Sequence, residues 1–327
     1  MIKKGENNNK AYQLILILLS ISILAAVIYL SDPAVIYGEI KKADMGYLAI
    51  VFIVPLLTSI LRIFRWKVLL DFFKKISFSR LAPVFMAALT ISNFTPARIG
   101  EASKSLFLKK TEGIPVSSSL GTVVWERLFD LITLMAFGVP FSLLLIGRLA
   151  QDLIIFWVLS LIFVTILVVG VIVGIYNEKI GYRLLEIGMK IPVLKKYVTE
   201  DFLKNFYKNA KMERTGLVVA FVISIIIWSI HGVAFYFSFA AVGITSFPLL
   251  FYIGIVGFTV LCGFVSFLPN GIGSTEAIFL AIMLVYGIPQ GQAAAGILLG
   301  RGILLGIQHL IGLVSLLYLS KMYQIKG

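Results

Sequence analysis

The chain has 327 residues, 59% of them hydrophobic and only 14% charged, and its mean hydropathy of +0.99 excludes a soluble domain with an ordinarily charged surface. A net charge of +13 could suit nucleic acid, but the lysines and arginines cluster in a few inter-helix segments, as the positive-inside rule expects of a membrane protein, so nucleic acid is not expected as a partner. The single Cys262 excludes an intrachain disulfide and a cysteine metal cluster, and with no metal-spaced histidine pair and no nucleotide-binding loop, no cofactor is expected.

Lys3, Lys4 and Lys10 precede an apolar run over 11–30. That run is longer than a signal-peptide core and lacks an A-x-A exit, so it predicts a retained first helix. A second span is expected over 45–61. The next run, 82–95, has about fourteen residues, too few to cross ~30 Å of hydrocarbon. Basic flanks at Arg80 and at Arg98 with Lys104 make it the first arm of a re-entrant hairpin. Pro96 breaks the helix near Phe94, and a returning piece starts near Glu101. Spans from about 116 and over 153–176 follow. Segment 177–215, with Tyr182, Tyr197 and Tyr207 among mixed charges, predicts a basic cytoplasmic linker holding an amphipathic interfacial helix. After a span over 216–242, the run 248–267 breaks between Pro269 and Gly273 and returns over 275–286, with Ser274 or Thr275 as N-cap. The last helix covers about 290–320. The expected fold is all-α: one polytopic membrane domain of about six spans and two re-entrant hairpins. Its halves are 1–152, with a tip near 94–101, and 216–327, with a tip near 267–276.

The halves repeat each other. Phe94-Thr95-Pro96-Ala97-Arg98-Ile99-Gly100 matches Phe267-Leu268-Pro269-Asn270-Gly271-Ile272-Gly273 as F-x-P-x-x-I-G, and Gly113-Ile114-Pro115 matches Gly287-Ile288-Pro289. Twelve residues past each of those last prolines stands an arginine in an apolar helix, Arg127 and Arg301. Three matches in one order indicate an internal duplication. With the N-terminus in the cytoplasm, 24 lysines and arginines fall on the inner side and only Lys41, Lys42 and Arg148 outside. Both termini are then cytoplasmic in the cell membrane, and the two copies have opposite orientations. Interrupted segments at corresponding places in inverted halves are the sequence mark of a transporter's binding site.

The chemistry expected there is anion binding. Each returning helix offers free N–H groups and its positive dipole end. Twelve residues at ~1.5 Å each put Arg127 and Arg301 about 18 Å into their helices, near mid-bilayer. A charge at that depth is costly, so it faces the protein interior and has a partner. Asp130 shares a helix face with Arg127 and Glu126 is its neighbour; Glu276 and Glu101 are the counter-ions expected for Arg301. The candidate substrate-binding set is Arg98, Glu101, Lys104, Glu126, Arg127, Asp130, Asn270, Ser274, Glu276 and Arg301. His231 and His309 are expected to be packed or hydrogen-bonded, and Gly296, Gly300, Gly302 and Gly306 to allow close helix contact.

The ordered set Arg62-Ile63-Phe64-Arg65-Trp66-Lys67-Val68-Leu69-Leu70, Asn93 to Ala102 with Lys104, Glu126-Arg127-Leu128-Phe129-Asp130 and Leu268 to Ala277 resembles the flippase-like transmembrane domain of lysylphosphatidylglycerol synthases, the multiple peptide resistance factors, and its stand-alone relatives. The second tip reads Pro-Asn-Gly, and Asn tolerates left-handed backbone there. The resemblance implies lipid translocation without the synthase's cytoplasmic transferase domain. The chain ends at Gly327, so lipid aminoacylation is not expected. The expected partners are membrane lipids; a lipid-modifying synthase or glycosyltransferase and a second copy of the chain are further candidates. The expected function is therefore that of a flippase, not an enzyme, for an anionic or polyprenyl-phosphate-linked lipid. The alternatives are a subunit or enzyme acting on lipid-linked substrates and a small-anion transporter.

Overall fold

The computed structural model describes residues 2–145, 147, 148, 151–189 and 200–324. Tyr197 in the expected linker and Lys326 at the C-terminus lie outside them. The chain starts with α1 (Ile2–Leu30), α2 (Pro33–Lys41), α3 (Met45–Leu70) and α4 (Phe78–Asn93). A 3-10 turn over Pro96–Ala102 leads to α5 (Ser103–Glu112) and α6 (Val116–Leu143). The second part has α7 (Gln151–Tyr176), α8 (Glu178–Met189), α9 (Glu200–Ala210), α10 (Arg214–Ala241) and α11 (Leu249–Val265). A 3-10 turn over Pro269–Gly271 then leads to α12 (Ser274–Val285) and α13 (Gln290–Gln324). The protein is an all-helical, multi-pass membrane protein: α1, α3, α7, α10 and α13 each contain an apolar stretch long enough to cross a bilayer. Helix α6 is as long, but Glu126, Arg127 and Asp130 sit in its middle.

Local chemistry sets the boundaries. Asp44 caps α3 by accepting hydrogen bonds from the N–H groups of Gly46 (2.7 Å) and Tyr47 (3.3 Å). Asp32 does the same for α2, with Pro33 in the first helical position. Gly113, at φ 71°, ends α5 in the left-handed conformation. At each break a proline removes an N–H donor, and a 3-10 turn follows.

The two parts pack as exchanged copies. Helices α3 and α10 correspond to each other and run antiparallel in contact. The Asp44 N–H donates to the Ala241 carbonyl (2.9 Å) at one end, and Arg65 donates to Ser224 (2.7 Å) toward the other. Helix α4 lies against α13 of the other half, and its counterpart α11 lies against α6. The short helices repeat the exchange, α2 packing on α13 and α9 on α6, where the Trp125 indole donates to the Ala210 carbonyl (2.8 Å). Corresponding helices that meet antiparallel imply a pseudo-two-fold axis perpendicular to them. That is the symmetry of an inverted repeat. The α6–α11 crossing is tight because Gly138 and Gly257 face each other: a Cβ at Gly138 would lie 2.9 Å from the Phe258 backbone nitrogen.

Three expectations change. The second long helix continues past 61 to Leu70, so Arg62 and Arg65 lie buried within α3 and not in an inner loop. Lys104, on the basic flank of the first tip, is also buried. With Arg98 buried in part as well, the inner cation count falls by four and the bias survives. The N-cap of α12 is Gly273, one residue before Ser274; the Glu276 carboxylate turns back and accepts its N–H (2.7 Å).

Candidate anion site at the junction of the two breaks

The two 3-10 breaks pack against each other, and Asn270 joins them. Its side-chain oxygen accepts from Arg98 Nε (2.9 Å) and Nη2, and its carbonyl accepts from Arg301 (2.7 Å). Both breaks use left-handed backbone. Asn270 has φ 51°, and Arg98 has φ 57° where the equivalent residue of the second copy is Gly271 at φ 63°. Glycine adopts this conformation freely, whereas a residue with a Cβ incurs roughly 1–2 kcal/mol. The second copy shows what the turn alone requires. Arginine at 98 is kept in spite of the turn, and such strain accumulates at functional sites.

Behind the breaks lies a closed set of charges. Arg65 bridges Glu126 (3.2 Å) and Asp130 (2.6 Å). Lys104 bonds Glu126 (2.5 Å) and lies 3.7 Å from Glu101. Arg127 pairs with Glu101 and with Asp130 (3.2 Å), and Arg301 with Glu276 (2.6 Å). Arg65, Lys104, Glu101, Glu126, Asp130 and Glu276 are all at most 3% exposed. Each trailing arginine is therefore tethered by a glutamate at the break of its own half, Glu101 in the first 3-10 turn and Glu276 in the first turn of α12. Ions buried this far inside a protein are costly unless they are paired.

Two guanidinium groups stand outside this pairing. Among the described residues, the Arg98 guanidinium has only the neutral Asn270 amide as its hydrogen-bond partner, and Arg62 lies over the Trp228 ring (5.4 Å) with a buried Nε that has no hydrogen-bond partner. Among the described residues neither has a carboxylate within ion-pair distance. Both open onto a cavity of about 90 Å³, also lined by Arg127, Arg301, Asp130, His231 and Gln308. Four arginines face one carboxylate across that space. In a low-dielectric interior, such a surplus of positive charge favours a bound anion.

The expected residues divide accordingly. Arg98, Arg127, Asp130, Asn270 and Arg301 line the cavity. Glu101, Lys104, Glu126 and Glu276 lie behind it as counter-ions, so Lys104 is not an interfacial cation. Ser274 serves the turn, donating to the Gly271 carbonyl (3.1 Å). His231 and His309 each place Nδ1 within hydrogen-bond distance of the carbonyl four residues earlier. Arg62, Arg65 and Trp228 were not in the expected set. For the arginines the signal was available: two arginines three apart, on one helix face, continuous with an apolar run; Trp228, one aromatic on an apolar helix, offered none.

Fold and site define a class, a multi-pass membrane protein of two antiparallel helical repeats with a guanidinium-lined cavity where their breaks meet. The chain belongs to the family described as the lysylphosphatidylglycerol synthase TM region, whose model matches residues 17–312. It is 27% identical over 339 aligned positions to a UPF0104 membrane protein of Methanothermobacter thermautotrophicus, covering 93% of each chain. It is 24% identical to UPF0104 membrane proteins of Methanocaldococcus jannaschii, covering 94% of this chain and 95% of the relative, and of Pyrococcus horikoshii, covering 91% and 94%.

Proposed function

We propose that this protein is a transporter and not an enzyme, and that it moves an anionic or polyprenyl-phosphate-linked lipid across the cell membrane with both termini in the cytoplasm. The two hairpins enter from opposite faces, and their tips meet near mid-depth. The observation that carries this reading is the pair of guanidinium groups without carboxylate partners, Arg62 and Arg98, facing one cavity at the junction of the repeats. A lipid phosphate supplies the missing negative charge, and its oxygens suit the guanidinium fork. Rocking of the two halves about this point would expose it to each side in turn. A lipid-modifying synthase or glycosyltransferase would supply or consume the lipid.

The test is reconstitution in phosphatidylglycerol liposomes with head-group-labelled phosphatidylglycerol or labelled polyprenyl phosphate. Label is expected to cross faster than in empty vesicles, and Arg127→Ala and Arg301→Ala are each expected to slow it roughly tenfold or more, the loss of one charge-assisted bond. Crossing no faster than in empty vesicles overturns the reading. Uptake of inorganic phosphate without lipid movement replaces it with a small-anion transporter.

A further inference from the structure

One departure from the inverted repeat concerns lipid access. Ile99 and Ile272 occupy the same position of F-x-P-x-x-I-G in the two copies. Ile99 is 72% exposed, whereas Ile272 is partly covered. The cause lies in the flanking helices. Helix α1 packs along the second break and α12, so closely that a Cβ at Gly273 would come within 2.8 Å of Ile23 Cβ and of the Ser20 carbonyl oxygen. Helix α7, the corresponding helix of the second half, lies instead against α11 and α6.

Beside the first break this leaves a groove of about 240 Å³. Leu167 and Val171 of α7 form one wall, Val123, Val124 and Leu128 of α6 the other, and Ile99 stands at the tip. At its inner end are Arg98 and Arg127, which also line the anion cavity, together with Glu101, the carboxylate paired with Arg127; Arg98 supplies the unpaired charge. Apolar walls thus run directly into the arginines. Leu167 and Val171 belong to a helix long and apolar enough to cross a bilayer, so a chain from the bilayer is the occupant that the apolar walls and the unpaired Arg98 both fit.

We propose that the groove between α6, α7 and the first break is a binding site for the hydrocarbon chain of a lipid whose phosphate is held by Arg98 and Arg127. This rests on the lipid-translocase reading and deepens it: one molecule occupies both spaces, its head group in the cavity and its chain in the groove. The substrate class is a lipid phosphate with a single accessible chain at the groove. The corresponding groove of the second half is closed by α1, so lateral access in this conformation belongs to the first half alone.

The experiment uses the purified full chain in phosphatidylcholine liposomes containing a trace of phosphatidylglycerol with a diazirine in one acyl chain, with cross-links mapped by mass spectrometry. Labelling is expected to concentrate on Leu167, Val171, Val124 and Ile99, above the outward-facing Ile166 and Val169 of α7. Diacylglycerol with the same diazirine chain, and phosphatidylglycerol with the Arg98→Gly variant, are each expected to label the groove roughly tenfold less, since a charge-assisted phosphate contact is lost. Equal labelling by diacylglycerol overturns the proposal, the groove then being ordinary lipid-contact surface. Labelling of Ile166 and Val169 equal to that of Leu167 and Val171 overturns it as well. Transport decides the other reading separately: groove labelling without transport leaves this site and removes the translocase, and transport without groove labelling does the reverse.

Discussion

Arg98 carries two opposing requirements, a left-handed backbone that favours glycine and a guanidinium that glycine lacks. Substitution separates them. Arg98→Gly removes both the strain and the bond to Asn270, while Arg98→Ala removes the bond and keeps the strain. Thermal unfolding in detergent is expected to find the glycine variant more stable than the alanine variant by about 1 kcal/mol, with both defective in lipid movement. The ion network behind it makes a larger demand. Glu126 accepts from Lys104 and Arg65 with no exposure to solvent. Glu126→Gln leaves buried cations short of a counter-ion, and about 3–5 kcal/mol of stability is expected to be lost. The exposed Lys211–Glu178 pair (3.1 Å) is the control: Lys211→Ala is expected to change stability by less than about 1 kcal/mol.

Helix α13 shows how an element divides its small residues between packing and open surface. Gly296 and Gly300 face α10, where a Cβ at Gly300 would lie 2.8 Å from Ser238 Oγ and 3.0 Å from the Phe235 ring. Nothing lies within 4 Å of a Cβ at Gly302 or Gly306. The expectation of close packing thus holds for the first two glycines and not for the others. Gly300→Leu is expected to cost about 1–3 kcal/mol through overpacking. Gly302→Leu is expected to be neutral or stabilising by up to about 1 kcal/mol, because leucine is the better helix former. Melting temperatures of the two variants in one detergent check the difference. At 3.6 residues per turn Gly296 and Gly300 share one face and Gly302 and Gly306 another, but spacing alone does not say which face meets α10.

At the scale of the molecule, the prediction concerns sidedness. Pro115 and Pro289 are equivalent positions and both are exposed. In a Cys262→Ser background, Pro115→Cys is expected to react with an impermeant maleimide only from the cytoplasmic side of intact cells or oriented vesicles, and Pro289→Cys only from the other. Labelling of both from one side contradicts the inverted arrangement. The structure supports that arrangement independently of charge, through the antiparallel contact of α3 with α10 and the exchanged packing of α4 on α13 and α11 on α6.

By itself, the sequence determined the membrane class, the long apolar helices, the positions of both breaks and the duplicated arginines; of the six spans it suggested, five have an apolar stretch long enough to cross a bilayer. These follow from hydropathy, proline chemistry and spacing, all of which are local along the chain. The tertiary structure alone decided which charges face the cavity and which are consumed by partners. Arg65 and Arg127 are alike in being arginines inside apolar helices, yet Arg65 is enclosed between Glu126 and Asp130 while Arg127 also lines the cavity. Arg62 and Arg98 emerge as the unpaired members only when carboxylates from distant parts of the chain have been placed around the others. Pairing of buried charge depends on distances between elements far apart in sequence, and periodicity within one element carries no record of them.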